Sequence, residues 1–154
     1  MNTMRKHRLQ QGIALIELAL SIPLMIMLSM MVIEFGRAMY EYNTVTKSVR
    51  DAVRYLTVQL PPAPTSCPPE ATSLVRYGLT SQASTPLAPG LVSATINCTW
   101  QTNGTYPQIS TTVTVTVSGY RFKSMVSNVF GLQLSDKNGG INFGNIAATM
   151  RMPT

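Results

Sequence analysis

The stretch 13-IALIELALSIPLMIMLSMMVI-33 decides the fold, because its only charged residue is Glu17. As an α-helix this run is about 31 Å long, which matches the hydrocarbon core of a bilayer, about 30 Å thick. The basic leader MNTMRKHRLQQG precedes it at residues 1–12. Basic residues beside a membrane helix stay in the cytoplasm, so the sequence predicts one pass through a bacterial inner membrane, with everything after residue 34 in the periplasm.

A cleaved secretory signal is the alternative interpretation, because it also combines a basic start with an apolar run. The run here is longer than the usual apolar region of such signals, which has about 7–15 residues. The polar exit Glu34-Phe35-Gly36-Arg37 also lacks the A-x-A pattern of a signal cleavage site. A retained membrane helix therefore explains the residues better.

Composition argues against nucleic-acid binding and against catalysis. The net charge is +6, but the leader supplies three of these charges, and the remaining cations are too scattered to form a phosphate-binding face. The one histidine, His7, lies in the leader, and the carboxylates after residue 60 are Glu70 and Asp136. Because this leaves few groups for acid-base chemistry, we expect no enzymatic activity, no cofactor and no nucleic-acid partner.

Beyond the predicted span the chain keeps a helical pattern. Apolar residues recur with the spacing of one helix face, at Val45, Val49, Ala52, Val53, Leu56 and Leu60. Pro61-Pro62 then ends the pattern. The sequence therefore predicts one helix over about residues 13–60, with a transmembrane first half and an amphipathic second half that needs a partner.

Residues 61–154 are predicted to form an outer α+β domain. A proline-rich linker opens it, and residues 70–80 are a candidate short helix. Apolar and polar residues alternate over 92–100, 112–117 and 144–152, which is the pattern of half-buried strands. We expect an antiparallel sheet of three to four strands that packs on the amphipathic half of the long helix.

The two cysteines, Cys67 and Cys98, are too few for a zinc site without histidine partners. A disulfide is the favoured interpretation in the periplasm, and two free buried thiols are the alternative. A bond would tie the linker to the first strand and stabilise the domain by about 3–4 kcal/mol.

Glu17 requires its own explanation, because a carboxylate at the centre of a bilayer costs up to about 3 kcal/mol. One interpretation is an acid that reaches back to the nearby interface. In the other, a peptidase cuts after Gly12, so that Ile13 gains an ammonium group and Glu17 becomes the fifth residue. Glu17 would then pair with the Ile13 amine of a neighbouring subunit, and this pairing would set the axial register of assembly.

The sequence resembles the TadE-like family in four short segments: Gly12-Ile13-Ala14-Leu15-Ile16-Glu17-Leu18-Ala19-Leu20, Pro23-Leu24, Ile33-Glu34-Phe35-Gly36-Arg37-Ala38 and Ala52-Val53-Arg54-Tyr55. This family includes minor pilins, or pseudopilins, of the Tad/Flp pilus system, and its N-terminus is similar to that of type IV prepilins. The resemblance implies a pilin-like fold, cleavage after Gly12 by a prepilin peptidase, and a role in building a pilus for adherence and surface colonisation.

By the same resemblance the expected partners are other minor pilins, the major pilin and the inner-membrane platform proteins. Two alternatives stay open at this point. A type II secretion pseudopilin has the same N-terminal features, whereas a single-pass adhesin or binding protein would use the helix only as an anchor.

Overall fold

The computed structural model describes residues 3–59, 66–104, 110–125, 128–129, 132–133 and 140–153. Two helices and seven strands are found there, with a 3₁₀ turn at Pro89–Leu91. The helices are α1 (Thr3–Val58) and α2 (Pro69–Tyr77). The strands are β1 (Thr95–Asn103), β2 (Ser110–Ser118), β3 (Arg121–Lys123), β4 (Asn128–Val129), β5 (Leu132–Gln133), β6 (Gly140–Asn142) and β7 (Ile146–Arg151).

Helix α1 begins well before the predicted start near residue 13, because the leader contains no residue that breaks a helix. The peptide bond between Gly12 and Ile13 is therefore inside a continuous helix of 56 residues. The helix ends at Val58, close to the predicted end, and Leu60 and the Pro61-Pro62 pair are outside the described residues.

Pro23 interrupts the backbone hydrogen bonding of α1 without ending the helix. A proline at this position leaves the Ala19 carbonyl without its usual donor. Ser21 is a candidate to replace that donor, but its hydroxyl donates to the Glu17 carbonyl at 2.8 Å instead. Another group must therefore satisfy the Ala19 carbonyl, and in a bundle of membrane helices a neighbour can do so.

The second half of α1 has the buried face that its periodicity predicts. The side chains of this face are at most 2% exposed, at Val45, Val49, Ala52, Val53 and Leu56. They form one hydrophobic core with Ala71 and Val75 of α2 and with the inner face of the sheet. The amphipathic half of the prediction is confirmed.

The main sheet is antiparallel with the strand order β1-β2-β7. Val113, Val115 and Val117 of β2 point into the core and are fully buried. The opposite face is rich in hydroxyl groups, and Thr114 and Thr149 are within hydrogen-bond distance there at 2.8 Å. This arrangement confirms the α+β fold with a small antiparallel sheet on a long helix.

Two local expectations need correction. The first strand begins at Thr95, and Val92, which the alternating pattern placed in it, is in a turn and 63% exposed. The chain also forms a hairpin of β3 with β6 and another of β4 with β5, which the sequence pattern did not predict. Strands of two or three residues are too short to produce a periodic signal.

The predicted short helix is present as α2, and the chain leaves it through Gly78 in the left-handed conformation (φ 72°). Just before α2, Cys67 forms a disulfide with Cys98 of β1, with the two Cα atoms 4.9 Å apart. The bond closes a loop of 31 residues in sequence and ties the start of α2 to the sheet.

Candidate functional site

The predicted processing and assembly residues lie together on the N-terminal part of α1. Gly12, Ile13 and Glu17 are all exposed, Ile13 by 66%. Among the described residues, one helix is long and apolar enough to cross a membrane, and none of its most apolar window is buried. An apolar surface of this extent requires lipid or other helices around it.

The helical conformation at Gly12 bears on the predicted cleavage. A peptidase reaches a peptide bond only where the helix has opened, since helical N–H and C=O groups bond to each other. Glycine lowers the cost of opening by about 1 kcal/mol relative to alanine. A Cβ atom at Gly12 would meet no other atom within 4 Å, so packing within the chain does not require a glycine here.

A second group of residues lies where the apolar run ends. We call Glu34, Arg37, Glu41, Tyr120 and Phe122 the boundary cluster. Arg37 is at its centre: its guanidinium is 3.1 Å from Glu34 Oε1 and 3.7 Å from Glu41 Oε1. The same guanidinium lies 5.3 Å from the centre of the Phe122 ring, in cation-π range.

The boundary cluster joins the helix to the outer domain through a buried hydrogen bond. The fully buried Tyr120 donates its hydroxyl hydrogen to Glu41 Oε2 at 2.8 Å. Burial, the hydrogen bond and the charge of Glu41 together raise the pKa of Tyr120 far above its usual 10.0. The phenol therefore stays protonated over the physiological range and acts as a fixed donor.

Aromatic packing extends this junction. The Phe143 ring stacks on Tyr120 at 5.8 Å and contacts Tyr42 of α1 at 5.5 Å and Phe122 at 6.2 Å between ring centres. These distances fit the favourable range for aromatic pairs. Two further aromatic residues, Tyr106 and Phe130, are outside the described residues.

The segment from Tyr120 to Met125 runs down α1 toward the apolar run. Tyr120 bonds to Glu41, Phe122 faces Arg37, and the Met125 backbone N–H donates to Glu34 Oε1 at 3.1 Å. Since Glu34 directly follows Ile33, the lowest of these contacts is at the end of the predicted span. The outer domain is thus seated at that end without an intervening stalk.

The predicted roles of Gly12, Ile13 and Glu17 stay predictions, whereas the disulfide of Cys67 with Cys98 is present. Sequence reasoning missed most of the boundary cluster. The four-residue spacing of Arg37 and Glu41 indicates only a weak helix pair, and that ion pair is present. The link from Glu41 to Tyr120 joins residues 79 apart in sequence, a separation at which helical or strand periodicity gives no signal.

Comparison with known proteins gives one match, to the N-terminal part of the chain. No curated protein and no solved structure matches the chain. The family model described as TadE-like protein matches residues 12–54, which include the apolar run and the helical part of the boundary cluster. Proteins of this pilus-related family are typically non-enzymatic. Over residues 12–54 the chain is similar to the TadE-like family, which confirms the resemblance found in its sequence.

Proposed function

We propose that this protein is a minor pilin, or pseudopilin, that assists assembly of a Tad/Flp-type pilus after a prepilin peptidase cuts between Gly12 and Ile13. Its leader stays in the cytoplasm, its apolar helix crosses the inner membrane once, and its outer domain faces the periplasm before any entry into a surface pilus. Its partners are other minor pilins, the major pilin and the platform proteins of the inner membrane.

The observation that carries this proposal is the continuity of α1. One unbroken helix combines an unburied apolar half, matched by the TadE-like model, with a half whose buried face holds the outer domain. Because no flexible joint separates the two halves, an axial position set at the N-terminus is transmitted to the domain. A protein that only needed an anchor would not require this rigidity.

The proposed mechanism begins with charge. Cleavage gives Ile13 a positive amine, and Glu17 supplies a carboxylate one helical turn away, about 6 Å along the axis. An unpaired charge deep in a bilayer costs about 2.5–3.5 kcal/mol. When Glu17 of one subunit meets the Ile13 amine of the next, both costs fall, and the favoured stagger of the helices is the one that brings them together.

Substitution of Glu17 tests this mechanism. Glu17→Ala is expected to insert into the membrane and fold normally, since Glu17 is exposed and far from the domain core. Pilus assembly is expected to fall sharply, because the Ile13 amine loses its partner. The measurement is a count of pili in cells that carry the variant, with membrane extraction to establish insertion.

Ser21→Ala is the matched control, one turn farther along α1. Its hydroxyl bonds only to the backbone carbonyl of Glu17, so its removal should leave assembly unchanged. Glu17→Gln keeps the shape without the charge and should resemble Glu17→Ala. Normal piliation of Glu17→Ala would reject the charge-pairing mechanism.

A further inference from the structure

We propose that the β3–β6 hairpin is a membrane-docking surface that binds the anionic phospholipid headgroups of the membrane that α1 spans. The surface consists of Arg121, Lys123, Met125 and Ile141, together with Phe35 of α1. The inference rests on the proposed function insofar as it takes residues 13–33 as the span. It adds a second, reversible contact between the protein and the bilayer.

Depth along α1 places the hairpin in the headgroup layer. The contacts of Tyr120 with Glu41 and of Met125 with Glu34 fix the two ends of the segment against the helix. Seven helical residues separate these contacts, a descent of about 10 Å. Phe122 is at the level of Arg37, and Met125 is at the level of Glu34. Lys123 lies between them in the chain and is therefore within about 5 Å, measured along the helix axis, of the end of the apolar run.

This depth coincides with lipid headgroups. The polar layer on each side of a bilayer is about 5–8 Å thick. Lys123 is therefore within the layer, and the long Arg121 side chain can reach it from above. Both side chains are exposed and line one recess of about 220 Å³, beside Gly90 and Gly140. A recess with two cations suits a phosphate group.

Two apolar members of the surface, Met125 and Phe35, lie lower than Lys123, whereas Ile141 pairs with Phe122 and lies at the level of the cations. Met125 is 78% exposed, Phe35 69% and Ile141 39%. A second recess of about 310 Å³ between α1 and the hairpin has a mostly apolar lining, made by Met31, Phe35, Ala38, Phe122 and Ile141 together with the polar residues Glu34 and Ser124. Met125 and Phe35 below Lys123 match the order of acyl chain and headgroup in a leaflet.

The acidic groups near the hairpin cancel only part of its charge, because Arg37 balances one of the two carboxylates and Arg121 and Lys123 together exceed the other. Glu34 and Glu41 both pair with Arg37, and each accepts a further hydrogen bond from the outer domain. Their side chains are only 13% and 14% exposed. Arg121 and Lys123 therefore face the solvent as the cationic side of the hairpin, which favours an anionic surface.

The test uses the full chain in vesicles that contain lipids brominated near the headgroup end of their acyl chains. Met125→Trp places a fluorophore at the lowest point of the hairpin, and the native Trp100 gives a constant background in every variant. In phosphatidylcholine vesicles that contain phosphatidylglycerol, the Trp at 125 should be strongly quenched. Val58→Trp is the control, because Val58 is 81% exposed and about 36 Å farther along α1.

Charge is tested by adding Arg121→Gln and Lys123→Gln to Met125→Trp. Each surface cation contributes about a fivefold preference for an anionic membrane, so the pair should lower the ratio of docked to undocked domain about 25-fold and release the quenching. Arg50→Gln with Arg54→Gln removes the same charge from exposed positions far from the hairpin and should change nothing.

Two results would overturn the inference. One is quenching at position 125 no stronger than at position 58. The other is quenching that persists in pure phosphatidylcholine and survives loss of both cations, which would leave no role for anionic headgroups. Val32→Trp reports separately on the span, because Val32 is 71% exposed and lies at the outer end of the apolar run, at the depth of the bromines. If Val32→Trp is quenched while Trp at 125 is not, docking fails and the proposed function stands. If Val32→Trp is itself unquenched, the membrane span and the proposed function fail.

Discussion

The two halves of α1 are one helix adapted to two solvents. Over residues 12–33 the side chains are apolar on every face and almost all exposed, whereas over residues 34–58 one face is buried under the domain and the others carry polar groups. The same backbone geometry therefore serves lipid in one half and a protein core in the other. The side chains of each half determine whether that half is surrounded by lipid or by protein. The continuity of the helix connects the membrane-length half to the outer domain.

The change from one half to the other takes place at the boundary cluster. Arg37 there forms ion pairs with two carboxylates and lies over the Phe122 ring, and the outer domain donates two hydrogen bonds to the same carboxylates. Each charged group of the cluster thus has partners at the level where apolar surroundings begin. Four predictions test whether the two halves differ as described, in order of expected effect.

The largest loss of stability is expected when a buried side chain of the second half of α1 is shortened. Leu56 is 2% exposed in the core, so Leu56→Ala should lower the free energy of unfolding of the outer domain by about 2–5 kcal/mol. Leu24→Ala makes the same chemical change where the side chain is 59% exposed and should leave that free energy almost unchanged. Denaturant unfolding of the full chain in detergent measures both. Equal losses would contradict the division of α1.

The second effect concerns the disulfide, which stabilises only the domain side. Cys67→Ser with Cys98→Ser should lower the free energy of unfolding by about 3 kcal/mol, because the unfolded chain regains the freedom of the closed loop. Membrane extraction of the same variant should not change, since α1 does not contain either cysteine. A loss of membrane retention would contradict this division, because it would show that the disulfide of the outer domain also affects the membrane-length half of α1.

A smaller effect is expected at the boundary cluster. Arg37→Gln removes an ion-pair centre and a cation-π contact, and it leaves Glu34 and Glu41 without their cation. The outer domain should lose about 1–2 kcal/mol. Arg50→Gln, at an exposed position one half-helix away, is the control and should cost less than about 0.5 kcal/mol. An equal loss of unfolding free energy in the two variants would contradict the stabilising role of Arg37 in the boundary cluster.

The smallest effect at neutral pH is that of Tyr120→Phe, about 1 kcal/mol for one buried hydrogen bond. Its pH dependence is distinctive. The pKa of Tyr120 is raised in the folded protein, so its stabilising effect is complete below the unfolded value of 10.0 and declines as pH rises above that value. The stability gap between wild type and Tyr120→Phe should therefore shrink above pH 10.0. A gap that stays constant would contradict the buried phenol.

Much of this fold follows from local patterns in the sequence. A spacing of three and four residues identified the buried face from Val45 to Leu56, and alternation identified the inward valines of β2. Both patterns predict burial correctly because residues at a regular spacing along the helix or the strand face the same hydrophobic core. The error at Val92 has the same origin, since a turn residue happened to continue the alternation.

The junction between helix and domain was beyond such reasoning. Its contacts depend on where a three-residue strand, β3, is laid against α1, and no repeat along the chain encodes that position. The early start of α1 was missed for another reason: charge and function suggested a boundary at Gly12, whereas helix propensity continues through it. The proposed processing site therefore lies inside an element and not at its end.

The most direct test of the central claim is the intact mass of the protein extracted from membranes, with sequencing of its N-terminus. We expect a mature chain that begins at Ile13, and we expect Gly12→Leu to abolish cleavage while Gly36→Leu, at another open glycine of α1, is processed normally. A membrane-extracted wild-type chain that still begins at Met1 would contradict the account, because the amine that pairs with Glu17 would never form.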